Sequence, residues 1–132
     1  MICLCAALTA GCTGIVQGLS VIAAAPNTMV GEAAIRGRLG LHKGCIVTSS
    51  AVSTATVLLD PRVELNGDGT GIVDRATGET VAFGQSFRGG GSTLREDGQG
   101  WSISDIETYY RVIIPAQCPR DNVILIGRIK AA

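Results

Sequence analysis

Short apolar segments recur along most of this chain, and turn residues separate them. Ile35, Leu39 and Leu41 alternate with Arg36 and Arg38, which is the period of two expected of a half-buried β-strand. Further strands are predicted at residues 45–48, 54–59, 63–65, 72–74, 79–83, 84–87 and 123–129. The last of these is apolar without alternation, which indicates a buried closing strand.

Two glycine-rich stretches interrupt the predicted strands. Residues 66–71 read NGDGTG, and their single carboxylate, Asp68, with Asp74 outside the register, is too few for a calcium loop. A hairpin turn is therefore expected there. The run Gly89-Gly90-Gly91 lacks the Gly-Lys-Thr ending of a phosphate-binding loop, so it predicts a kink or bulge.

One short helix interrupts the strand pattern. Ser104 and Glu107 have the spacing of a capping box, and they precede a stretch that can form one or two helical turns. Asp105 and Glu107 are two positions apart, so they point to different faces and are interpreted as helix-start charges rather than a catalytic pair. The whole pattern predicts an all-β, Gly-rich fold, an OB-like closed or partly open small barrel with one short helix.

The N-terminal 25 residues differ from the rest because they are apolar and uncharged. Every charged residue lies at Glu32 or later. This predicts a signal, lipoprotein-targeting or anchor segment at 1–25, a linker at 26–33 and the folded domain at 34–132.

Three interpretations of that segment remain open. Leu8-Thr9-Ala10-Gly11-Cys12 is similar to a bacterial lipobox, in which the Cys12 thiol accepts a diacylglycerol. An ordinary signal peptide could instead be cleaved near residues 23–25. The run 2–25 is also long enough to remain as a membrane anchor.

Charge gives little indication of a partner. Lys and Arg total 11, Asp and Glu total 11, and the formal net charge is zero. This balance offers no electrostatic case for nucleic acid, and none for an anionic membrane. The expected membrane contact is therefore the N-terminal lipid or anchor.

Two of the five cysteines, Cys45 and Cys118, lie in the predicted domain. In an exported domain the simplest expectation is that they form a disulfide. Because Cys45 begins an early strand and Cys118 precedes the last one, we expect the bridge to fasten the closure seam between the first and last strands of the barrel. Two free buried thiols are an alternative. A zinc site is disfavoured because the chain has one histidine, His42, and no C-x-x-C spacing.

The order of several short motifs over residues 35–129 resembles a group of bacterial exported or lipoprotein domains. The motifs are Gly37-x-Leu39, Gly44-Cys45-Ile46, Asp60-Pro61, Asp74-x-x-x-Gly78, Phe83-Gly84-Gln85, Gly89-Gly90-Gly91 and Ile114-Pro115-Ala116-Gln117-Cys118. The resemblance implies an OB-like small β-barrel and supports the Cys45–Cys118 pair. It implies no activity.

Candidate chemistry is sparse. His42 has no nucleophile-elbow serine or fixed carboxylate partner in the sequence, so no catalytic residue, metal or cofactor is predicted. Trp101, Tyr109 and Tyr110 form the main aromatic group and are the candidate binding surface, although they could equally fill one end of the barrel.

These features favour a non-enzymatic binding domain tethered in the bacterial cell envelope, membrane-anchored or periplasmic to extracellular. Its expected partner is an envelope protein or a small ligand, and not nucleic acid. Two alternatives are a structural or assembly component of the envelope and a hydrolase-type enzyme, which would require a pocket around His42.

Overall fold

The computed structural model describes residues 2–3, 11–16, 18–28 and 30–132. The elements in this part of the chain are β1 (Ile2–Cys3), β2 (Cys12–Val16), β3 (Leu19–Ala23), β4 (Ala33–His42), β5 (Cys45–Ser49), β6 (Thr54–Leu59), β7 (Val63–Leu65), β8 (Gly71–Asp74), β9 (Thr80–Ala82), β10 (Ser86–Glu96), β11 (Gln99–Gly100), α1 (Ile103–Tyr110) and β12 (Val123–Ala131). The predicted all-β class with one short helix is confirmed.

Six strands pair into a closed ring in the order β3–β5–β4–β10–β12–β6. The ring closes because β6 also pairs with β3, at Leu59 and Ala23. Strand β3 runs parallel to β5 and to β6, and β6 runs parallel to β12. The pairs β4–β5, β5–β6, β4–β10 and β10–β12 are antiparallel. Closure covers strand edges that would otherwise be open to pairing with another chain.

Apolar side chains form two cores, one on each face of β12. Val123 and Leu125 pack with helix α1 in the helix-side core. Ile124 and Ile126 pack in the ring core with residues from the other strands and from the small sheet β7–β8–β9. Burial on both faces explains why this segment of the sequence is apolar without alternation.

The two glycine-rich stretches have the predicted conformations. Residues 66–71 connect β7 to β8 as a hairpin, and the Asn66 side chain accepts a hydrogen bond from the Thr70 N–H at 2.9 Å. The triple-glycine run lies inside β10, where the register with β12 shifts between Gly90 and Gly91. A Cβ on Gly91 would lie 1.8 Å from the Leu125 carbonyl oxygen, so the close strand approach requires glycine.

The helix cap differs from the predicted one. Helix α1 begins at Ile103, and the cap is Ser102, whose hydroxyl accepts from the Asp105 N–H at 3.0 Å. Ser104 is already inside the first turn. The carboxylate of Glu107 accepts from the Ile114 N–H at 2.8 Å, so it holds the chain that follows the helix rather than closing a capping box.

The packed unit begins before residue 34, the boundary expected from the sequence. Strands β2 and β3 form a hairpin that joins the ring, and Ile22 and Ala24 are 2% and 3% exposed in the helix-side core. The same apolar character that suggested a targeting segment also suits a buried strand, which is why hydropathy did not separate the two. Residues 8–10 of the lipobox-like motif lie outside the described residues.

The described ranges contain no helix that could cross a membrane. The one helix there, α1, has eight residues, and none is long and apolar enough to span a bilayer.

Candidate functional site

Three aromatic side chains meet beside helix α1. The rings of Trp101 and Tyr109 are edge-to-face with centroids 5.4 Å apart, and those of Tyr109 and Tyr110 are edge-to-face at 4.8 Å. Trp101 and Tyr110 are 5.6 Å apart in a tilted arrangement. The structure therefore brings the three predicted residues into one cluster, and the geometry is the one aromatic pairs prefer.

Burial divides the cluster into a base and a surface. Tyr110 is 1% exposed and packs in the helix-side core, whereas Trp101 is half-buried and Tyr109 is 41% exposed. Burial raises the pKa of Tyr110 to about 12, and the neighbouring Tyr109 adds to the rise. Trp101 and Tyr109 are the partly exposed members, and we call them the aromatic surface.

The backbone on both sides of Trp101 is held in place. Its N–H donates to the Leu94 carbonyl at 2.9 Å, and its own carbonyl accepts from the Arg95 guanidinium at 3.0 Å. Tyr109 is carried by α1, which is capped at one end and tied to Ile114 at the other. The aromatic surface is thus positioned by packed elements, which lowers the entropy lost on binding.

The rim of the aromatic surface is polar. Gly100, Asp105 and Thr108 line the same open depression as the two exposed rings. An apolar aromatic centre with a polar rim is the usual composition of a binding hot spot. The side chains at this place offer stacking, apolar contact and hydrogen bonds, which is binding chemistry.

The predicted disulfide is present. Cys45 and Cys118 are joined, with Cα atoms 5.7 Å apart, and both are buried. Cys118 lies in the segment between α1 and β12, so the bridge fastens that segment to β5. An interior disulfide indicates an oxidising, extracytoplasmic compartment.

The place of this bridge differs from the expected one. The bridge was expected to join the first and last strands of the ring at a closure seam. Strand β6 lies between β5 and β12 in the sheet, so no such seam exists between the two cysteine-bearing segments. The bridge lies instead in the helix-side core.

Cys12, the predicted lipidation site, lies in β2 opposite Ala23 and is 7% exposed. Its sulfur is also disulfide-bonded in the structure. One sulfur atom cannot carry a lipid thioether and a disulfide together, so the lipidated and oxidised forms exclude each other. Lipidation of Cys12 stays a prediction.

The single histidine and the two helix carboxylates do not come together in one site. His42 is exposed at the end of β4. Asp105 belongs to the first turn of α1, and Glu107 is engaged by Ile114. Across the ranges that the structure describes, no group of three His, Cys, Asp or Glu side chains is placed to hold a metal.

Sequence reasoning missed an ion pair in which the carboxylate is buried and the arginine is partly exposed. Asp74 is fully buried in β8 and receives two hydrogen bonds from the Arg62 guanidinium, at 3.2 and 3.0 Å, and one from the Ala76 N–H at 2.9 Å. Burial alone would raise the pKa of Asp74, but these hydrogen bonds outweigh it and hold the pKa below its ordinary value. The alternation of side chains along a strand was the available signal, because it places Asp74 on the same face of β8 as buried Ile72.

Sequence reasoning also missed a cluster of cations on three neighbouring strands. Strands β4, β10 and β12 carry five exposed basic side chains, which we call the basic face: Arg36, Arg38, Arg88, Arg128 and Lys130. The three strands are far apart in the chain, and only their pairing brings these side chains onto one face.

Known proteins give no indication of what the aromatic surface or the basic face binds. No protein-family model matches the chain, and neither a curated protein nor a solved structure matches it. The function must therefore be argued from the residues of the chain itself.

Proposed function

We propose that this protein is a non-enzymatic binding domain of the bacterial cell envelope, tethered there and engaging its partner through the aromatic surface. The partner is an envelope protein or a small ligand with an apolar or ring-shaped face. The extracytoplasmic placement that the proposal needs agrees with the interior Cys45–Cys118 disulfide.

One observation carries the proposal. Trp101 and Tyr109 are exposed in part although the chain has few aromatic residues, and they rest on the buried ring of Tyr110. A rigid aromatic pair held open to solvent loses little entropy when a partner covers it. Tyr109 stays 41% exposed although its ring contacts those of Trp101 and Tyr110.

The binding test is capture of partners from envelope extracts by the immobilised protein. The variant carrying Trp101→Ala and Tyr109→Ala should lose the captured partner, because truncating a hot-spot residue costs about 2 kcal/mol or more. A matched control removes two exposed apolar side chains elsewhere, Leu41→Ala and Val52→Ala, which are 46% and 90% exposed in the parent. Equal capture by both variants would contradict the proposal.

The tether has its own test. If Cys12 is acylated, cells supplied with labelled fatty acid should label the wild type and leave Cys12→Ala unlabelled. The oxidation state of the Cys12 sulfur, read by alkylation before and after reduction, shows which of the two exclusive forms exists. An unlabelled wild-type protein whose Cys12 is oxidised would contradict tethering through a lipid.

Two other functions remain distinguishable. A structural or assembly component would bind its neighbours in the envelope without loss in the Trp101→Ala variant. A hydrolase would have to bind its substrate beside His42, which lies exposed at the end of β4. In that case His42→Ala would abolish turnover of the substrate. The binding proposal predicts that His42→Ala leaves capture unchanged.

A further inference from the structure

The outside of the ring is divided into a covered part and an open part. Helix α1 and the segment after it cover apolar side chains of β5, β6 and the start of β12, which form the helix-side core. Strand β4 and the paired parts of β10 and β12 carry the basic face, whose five cations are all exposed. The cations are therefore concentrated where none of the described elements covers the ring.

Three of these cations form a row across the three strands. Arg88 is the register partner of Arg36 on one side and of Lys130 on the other. Adjacent strands are about 4.8 Å apart, so this row places the backbone positions of three cationic residues across about 10 Å. Like charges directly opposite across a sheet are destabilising.

A fourth cation is directed toward the same place. Arg128 is the register partner of Gly90, and its guanidinium lies over that glycine, since a Cβ there would be 2.5 Å from Nε. Arg38 lies at the border, where its guanidinium donates to the Gly84 carbonyl at 2.9 Å.

Acidic groups border the basic face without neutralising it. Across the described ranges the ion pair is that of Arg62 with Asp74, so the five cations have no carboxylate within 4 Å. Glu79 lines the same depression as Arg36, Arg88, Arg128 and Lys130, and Glu32 lines a second depression with Arg128. Among the described residues, the row of Arg36, Arg88 and Lys130 therefore has no ion-paired carboxylate.

The remaining chemistry of the face narrows the class of ligand. Between the cations lie small side chains, at Ala34, Ser86 and Gly90, and no aromatic ring. A stacking platform for single-stranded nucleic acid needs aromatic side chains beside the cations. A protein interface has an apolar centre, which this face lacks. In the described chain no buried side-chain nitrogen or oxygen lacks a hydrogen-bond partner, so no unpaired buried group is aimed at a small anion.

We propose that the basic face docks the protein on an anionic phospholipid membrane surface through its lipid phosphates. Hydrated, exposed cations gain from many weak contacts with such a surface, and each Lys or Arg near it strengthens partitioning about fivefold. The contact neutralises the row of Arg36, Arg88 and Lys130. This docking is separate from the aromatic surface and does not depend on Cys12.

The test is flotation, with vesicles, of the full-length protein in its oxidised form, whose Cys12 carries a disulfide and no lipid. Vesicles of equimolar phosphatidylglycerol and phosphatidylcholine should bind the protein at low salt, and pure phosphatidylcholine vesicles should not. Binding should be lost in about 0.5 M NaCl, because salt screens exposed charges. Equal binding to both vesicle types, or binding to neither, would overturn the proposal.

A pair of triple variants locates the contact. Replacing Arg36, Arg88 and Lys130 by glutamine should lower the vesicle partition coefficient about 100-fold. The control makes the same change of net charge at exposed positions elsewhere: Lys43→Gln, Arg75→Gln and Arg111→Gln. An equal fall in the control would show that net charge, and not this face, determines binding.

Folding provides an independent readout. The basic-face variant should melt at or above the wild-type temperature, because the like-charge row is removed. A lower melting temperature would mean that the cations stabilise the fold, which removes the motive for a ligand.

Competition separates the membrane from other anions. Sodium phosphate should displace the protein from vesicles no better than NaCl of equal ionic strength, and better displacement would assign the face to a small anion. If a DNA oligonucleotide displaced the protein at a concentration lower than that of the lipid, the basic face would be assigned to nucleic acid. Vesicle binding should be unchanged in the Trp101→Ala, Tyr109→Ala variant, and a fall there would also overturn the proposal.

Discussion

At the scale of the residue, Gly11 has two different explanations. As part of the lipobox-like motif it is small because a peptidase requires a small residue. In the structure it is small because a Cβ would lie 2.1 Å from the Tyr110 carbonyl oxygen and 2.9 Å from the Ala25 nitrogen. Alanine is small enough for the first explanation and too large for the second, so one substitution separates them.

We predict that Gly11→Ala destabilises the folded protein by about 1–3 kcal/mol, the usual effect of inserting atoms into a packed site. The measurement is chemical denaturation of the purified, oxidised protein. Gly40→Ala is the matched control, because a Cβ at Gly40 meets nothing within 4 Å. Equal stability of the two variants would show that Gly11 is not tightly packed.

The buried Asp74 carboxylate predicts a particular acid sensitivity. Its folded-state pKa lies below the ordinary value, so its contribution is complete above the unfolded pKa of about 3.9 and is lost as pH falls toward the folded value. We expect Asp74→Asn to lower the free energy of unfolding by about 1–3 kcal/mol at neutral pH. The difference between the two proteins should narrow below about pH 4. A difference independent of pH would contradict an ionised Asp74.

At the scale of the element, the helix cap offers a direct comparison of two serines. Ser102 accepts the hydrogen bond from the Asp105 N–H, while Ser104 is exposed in the first turn. Ser102→Ala should cost about 1 kcal/mol of unfolding free energy, the usual cost of removing an N-cap, and Ser104→Ala close to none. Thermal denaturation of both variants is the measurement. A larger loss in Ser104→Ala would favour the capping box expected from the sequence.

Strands with a clear period were predictable, and elements defined by partners were not. Alternation and turn residues located β4, β6 and β12 well, because a half-buried or buried strand imposes its pattern on the sequence. The hairpin of β2 and β3 was missed because a buried strand and a targeting segment have the same apolar composition.

The functional surfaces were predictable to different degrees. The aromatic surface was found because its members are close in the chain. The basic face was missed because Arg36, Arg88 and Lys130 are separated by long intervals and meet only through strand register. A net charge of zero conceals this concentration of cations, because it does not depend on where the charges lie.

At the scale of the whole molecule, the Cys45–Cys118 disulfide connects β5 to the segment before the last strand over a separation of 73 residues. Loop closure of this length restricts the unfolded chain and contributes up to about 4 kcal/mol. The double variant Cys45→Ala, Cys118→Ala should therefore melt well below the oxidised wild type. Equal melting temperatures would show that the bridge contributes nothing to the stability of the fold.

The account's central claim is that the protein binds a partner through the aromatic surface, and site-specific photocrosslinking in intact cells tests it most directly. A photoreactive phenylalanine analogue at position 109 should give a crosslinked product, and the same analogue at Val52, which is exposed on another part of the surface, should not. Adding Trp101→Ala should remove the product at 109. No product at 109, or an equal product from both positions, would contradict the claim.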